Sequence, residues 1–272
     1  MLFRSSLVAA LSASFLQSAA AEITTDVVGK SGKIKIFDSA GIREDRNAIM
    51  MTMDFLYELD ADEKIVGNQG SQKHGTQTFA NQQFTFSDVE EVTYSNVTAD
   101  YFSFEAKVYE AGSIKVETYV FREDGVITTS AEETFDVFAG DFKFSIELID
   151  WKWCNPCDSN EYGAFVDVGI ELKGSKAEPS EEDLGGGIPV ILSSKILADN
   201  VVIDMPAGYP KIVSKDAYDL DGDGVEDGDG DGKKLFIFRF PKEGDATLYD
   251  YDPIIRTSGD TCGIFCRALP CL

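Results

Sequence analysis

Asp219-Leu220-Asp221-Gly222-Asp223-Gly224-Val225-Glu226-Asp227 places carboxylates at alternate positions, and Asp229 and Asp231 extend the run. Seven acids thus fall within thirteen residues. So dense a set of negative oxygens repels itself unless a hard cation, which takes roughly six to eight oxygen ligands, fills the centre. Counted from Asp219, carboxylates stand at positions one, three, five and nine, and Gly224 at position six permits the sharp turn around an ion. The expected cofactor is calcium. Extracellular calcium modules bind at about 10⁻⁴ to 10⁻³ M. At ten to a hundred times its dissociation constant, the ion would stabilise the fold by about 1.4 to 2.7 kcal/mol. That is the scale of a structural ion rather than a cytosolic switch.

This segment resembles the loops of EF-hand proteins, dockerins, thrombospondin type-3 repeats and integrin alpha-subunit propellers. An EF-hand needs a bidentate Glu at position twelve, where this chain has Gly230, and Lys234 to Phe240 reads as a strand rather than a helix. The propeller-type pattern Asp-x-Asp-x-Asp-Gly-x-x-Asp between strands is matched in full. That similarity implies side-chain ligands from Asp219, Asp221, Asp223 and Asp227 and a carbonyl ligand from Val225. Asp229 and Asp231 then complete the shell or serve a second ion.

Five cysteines fall in two clusters, Cys154 with Cys157, and Cys262, Cys266 and Cys271 at the end of the chain. Export favours disulfides joining the tail to the first cluster, with one thiol left over. A bridge from Cys154 to Cys262 would close a loop of about 108 residues, worth up to about 4.7 kcal/mol in the chain-entropy model. A four-cysteine zinc site has permitted spacing but the wrong compartment. A redox pair lacks a helix starting at Cys157 to lower a thiol pKa.

Trp151 and Trp153 precede this cluster, and with Tyr162 they form either a sugar-stacking face or packing against a disulfide. Asn96-Val97-Thr98 is an N-glycosylation acceptor. His74, the single histidine, lies in a polar loop and reads as solvated. No serine nucleophile elbow occurs, the glycine spacing of Gly29 to Lys33 fails as a phosphate loop, and no carboxylate pair stands out as catalytic. The sequence favours a non-enzymatic role.

The elements that must hold these residues are strands. Period-two alternation runs through Ile49 to Tyr57, Phe102 to Val108, Ile114 to Val120, Phe142 to Leu148, Val166 to Leu172 and Phe236 to Phe240. Each predicts one buried and one wet face. Turn residues separate the runs at Gly67-Asn68-Gln69-Gly70, Ala111-Gly112-Ser113, Glu123-Asp124-Gly125, Ala139-Gly140-Asp141 and Pro206-Ala207-Gly208. The expected fold is an all-β antiparallel sandwich, jelly-roll or immunoglobulin-like, with a barrel as the alternative. Residues 1–21 read as a signal peptide, with Arg4 before a short apolar run and Ala19-Ala20-Ala21 at the cleavage point. One domain is expected over 22–258, with an acidic glycine-rich loop at 174–187 and a calcium loop at 219–231. A cysteine-rich tail, 259–272, closes the chain.

The chain carries 48 acidic against 24 basic residues, a net charge of −24. Such a field repels phosphate backbones and anionic headgroups, which excludes nucleic acid, and no segment is apolar enough to span a membrane. It attracts calcium, basic proteins and mineral surfaces. The reading is a secreted, acidic, calcium-binding glycoprotein with a structural or adhesive role in an extracellular matrix, cell wall, cell surface or mineral contact. A lectin-like glycan-binding module is the alternative, and a carbohydrate-active hydrolase the third.

Overall fold

The computed structural model describes residues 23–28, 32–38, 48–67, 73–80, 82–157, 162–174, 190–191, 193–214 and 234–255. Among them there are eighteen strands and no helix. The first six are β1 (Ile23–Val28), β2 (Lys33–Asp38), β3 (Ala48–Leu59), β4 (Phe84–Phe86), β5 (Glu90–Tyr94) and β6 (Val97–Val108). Next come β7 (Gly112–Phe121), β8 (Gly125–Thr128), β9 (Thr134–Val137), β10 (Phe142–Ile149), β11 (Phe165–Gly174) and β12 (Val190–Ile191). The last are β13 (Lys195–Ala198), β14 (Val201–Asp204), β15 (Lys211–Ser214), β16 (Lys234–Pro241), β17 (Tyr249–Tyr251) and β18 (Ile254–Ile255).

Two antiparallel sheets pack face to face as a β-sandwich. One has six strands in the order β1-β2-β3-β11-β16-β15, and the other runs β14-β13-β17-β10-β7-β6-β4 with β5, β12 and β18 attached. Strands β8 and β9 form a separate hairpin. The six alternating runs expected from sequence become β3, β6, β7, β10, β11 and β16, the long central strands. Their inner faces meet in one large core that includes Met53, Phe104, Val116, Phe144, Val168, Phe238 and Tyr251. Burying each such side chain is worth about 1.5 to 3 kcal/mol.

Parity along β3 departs from expectation. The register slips between Gly169 and Ile170, so that Phe55 faces Gly169 while Met53 faces Ile170. The bulge sends Met51, Met53 and Leu56 into the large core and turns Phe55, Tyr57 and Leu59 to the opposite face. There they pack with Leu235 and Ile237. Gly169 has to be small, because a Cβ there would lie 2.3 Å from the Phe55 ring. One extra residue re-aims half a strand, as bulges do.

Candidate functional site

The acidic run 219–231 lies outside the described residues, and so does the glycine-rich stretch from 175 to 187. The anchors of the acidic run are described. Its flanking strands β15 and β16 are antiparallel neighbours in the six-stranded sheet, with Ser214 opposite Lys234. The strand expected over Lys234 to Phe240 is β16. Beside this edge, Arg239 donates to both oxygens of Asp167 at 2.7 Å and to Glu63 at 2.6 Å. Its guanidinium lies 4.2 Å from the Tyr209 ring centre and 4.8 Å from that of Phe165. Burial opposes the Arg239 charge, and the two carboxylates outweigh it and hold the pKa above its ordinary value. Among the described residues, no group of three or more His, Cys, Asp or Glu is arranged to hold a metal.

The other predicted positions separate. Trp151 is fully buried in the large core and has no ring face for a sugar. Trp153 is half-buried and meets Tyr249 edge-on at 5.8 Å, while Tyr162 is exposed. Of the two readings, the shared stacking face is not assembled from all three, because Trp151 turns into the large core. The expected link from the first cysteine cluster to the tail is also corrected: Cys154 is bonded to Cys157. The short turn through Asn155 and Pro156 leaves their Cα atoms 4.9 Å apart, within bridging range. Cys262, Cys266 and Cys271 lie outside the described residues. Asn96 is exposed at the tip of the β5–β6 hairpin, where Ser95 and Asn96 both have positive φ, 48° and 71°. That geometry is the two-residue turn that Asn tolerates well.

His74 is not solvated. It is buried, and its Nδ1 lies 2.8 Å from the carboxylate of Glu58, a residue of β3 with no exposure. The other Glu58 oxygen accepts from the Cys154 backbone N–H at 2.7 Å. Glu58 thus ties β3, the His74 loop and the disulfide turn together. Gly163 makes room for it, since a Cβ there would fall 1.6 Å from Oε1.

The least expected feature is a polar layer on the outer face of the larger sheet. Lys143, Ser145 and Glu147 of β10 have the alternation of a wet face, yet Lys143 is 1% and Ser145 3% exposed. Lys143 donates to Asp252 at 2.6 Å, and its ammonium sits 4.8 Å and 4.9 Å from the ring centres of Tyr94 and Tyr119. Asp252 also accepts from the Ser130 backbone N–H and hydroxyl, both at 2.8 Å, and from the Ser145 hydroxyl. Burial would raise the Asp252 pKa, but Lys143 and the serine donors hold it below the ordinary value.

Around this pair lie three more carboxyls. Glu117 bonds Lys115, Tyr101 and Tyr119. Burial raises its pKa, and Lys115 with the two tyrosines more than reverses the effect. Glu147 stands directly across the strands from both Lys115 and Asp250, and burial followed by the nearby Glu117 raises its pKa. Asp250 keeps Oδ1 buried without a hydrogen-bond partner. Burial, then the Asp252 charge, push its pKa up to about 7. Sequence gave one signal for this layer, the matched spacing of Lys143-x-Ser145-x-Glu147 and Asp250-x-Asp252. Nothing local indicated that the Ser130 loop of the β8–β9 hairpin and the ring of Tyr94 from β5 would cover it.

Compared with known families, residues 17–184 match the profile described as acidic skeletal organic matrix protein.

Proposed function

The chain belongs to the acidic skeletal organic matrix protein family, and from that premise we propose that it is a calcium-binding component of an extracellular, mineral-associated matrix. Membership supplies the extracellular matrix setting. The finer reading is that a rigid β-sandwich carries the Asp219–Asp231 run as a cation-binding loop, with its other carboxylates facing mineral or basic partners. The observation that carries it is the pairing of Ser214 with Lys234. It pairs the described residues that flank the aspartate run, and holding those flanks together reduces the entropy a bound ion must overcome.

Other observations agree with this reading. Exposed carboxylates recur along strands and in turns, among them Asp62, Glu90, Glu105 and Asp124. Such side chains present oxygen to calcium ions in solution or at a surface. Asn96, exposed at a hairpin tip, is open to glycosylation after export through the signal segment at 1–21. Calorimetric titration of the full mature chain with calcium is the test. Heat with a dissociation constant near 10⁻⁴ to 10⁻³ M, lost in Asp221→Asn/Asp223→Asn, supports the assignment. No heat, or the same heat in the double variant, removes it.

A further inference from the structure

Lys143 and Asp252 are arranged for more than an ion pair. Both side chains are almost wholly buried, at 1% and 2% exposure, with Nζ 2.6 Å from Oδ1. The two carboxylate oxygens have different surroundings. Oδ2 accepts both donors of Ser130, while Oδ1 takes Lys143 and the Ser145 hydroxyl. Ser145 Oγ is shared, since it accepts from Nζ and donates to Oδ1. Tyr94 and Tyr119 flank the ammonium.

We propose that Lys143 and Asp252 condense into an intramolecular amide, a covalent cross-link between β10 and the segment joining β17 to β18. The reaction needs no outside reagent. One proton passes from Nζ to Oδ1, and the freed nitrogen lone pair attacks Cγ. Charge then grows on Oδ2, where the two Ser130 donors already stand, an arrangement that lowers the barrier for acyl chemistry. A second proton travels from Nζ through the Ser145 hydroxyl to Oδ1. The Cγ–Oδ1 bond breaks, and Oδ1 leaves as water. The ammonium and carboxylate thus become one amide and one water. Holding nucleophile and carboxyl together in a buried site supplies the proximity that such a reaction lacks in solution. Two proton transfers must accompany the attack and the loss of water, which makes the condensation a slow, single event in each molecule.

The test is the mass of the full chain, produced without glycosylation, reduced and alkylated, after prolonged incubation of the folded protein. The expected result is a deficit of about 18 Da, with tandem spectra of a protease digest showing a branched peptide joined at Lys143 and Asp252. Lys143→Met should restore the full sequence mass. Asp252→Asn should reach the same amide by losing ammonia, a deficit of about 17 Da. Ser145→Ala should slow the mass loss while leaving both reacting groups. A wild-type chain that keeps its full mass overturns the proposal without reference to any variant. So does a deficit that maps to other residues.

Discussion

Asp250→Asn should make the protein more stable at pH 8 than the wild type, with little or no advantage at pH 4. Asp250 lies opposite Glu147 across β10 and β17 and keeps a buried, unpartnered oxygen. Its carboxyl titrates at about 7 in the folded chain against an ordinary 3.8. A group with a raised folded pKa contributes stability that is fully present below the unfolded value and is lost as pH rises through the folded value. For Asp250 that window runs from about pH 4 to about pH 7. At about 1.4 kcal/mol per pH unit the loss is roughly 4 kcal/mol as an upper figure, and coupling to Asp252 brings the expected value to roughly 2 to 4 kcal/mol. Asparagine carries no charge at any pH, so the variant escapes this loss. Burial is the largest cause of the shift, and the direction therefore holds whether or not Lys143 and Asp252 are condensed. Urea unfolding of both proteins at pH 4, 5.5, 7 and 8 measures the difference. A gap between the two proteins that does not widen with pH, or a variant weaker at pH 8, refutes the reasoning.

Three other changes probe separate parts of the frame. Gly163→Ala should displace Glu58 from the Cys154 N–H and from His74, costing about 1 to 3 kcal/mol as a buried acceptor loses its donors; thermal melting reads the loss. Arg239→Met leaves Asp167, which is 6% exposed, without its bidentate partner, and should cost about 3 to 5 kcal/mol at pH 7. That cost should shrink on acidification as the carboxyl takes a proton, and pH-dependent chemical denaturation would show it. Trp151→Ala should cost about 3 to 5 kcal/mol through the cavity it opens, measured by the denaturation midpoint.

Strand identity was readable where one face is apolar and the other polar. Phe102 to Val108 and Val166 to Leu172 follow that pattern and form β6 and β11. The parity of β3 was not readable, since Met51, Met53, Phe55, Leu56, Tyr57 and Leu59 supply apolar side chains for both faces and leave a bulge no signature. Lys143 and Ser145 looked wet because alternation reports two faces and cannot tell that one is covered by another layer. His74 looked free because its partner Glu58 stands sixteen residues away along the chain. The cysteine pairing differs for a related reason: export favours disulfides without saying which sulfurs meet, and the local turn brings Cys154 to Cys157.

Hydrogen exchange on the two strands flanking the aspartate run, with and without calcium, bears most directly on the functional reading. Amides at the Ser214 and Lys234 ends of β15 and β16 should exchange more slowly in calcium, and Asp221→Asn/Asp223→Asn should abolish the difference. Unchanged exchange at millimolar calcium, or equal slowing in the double variant, would contradict it.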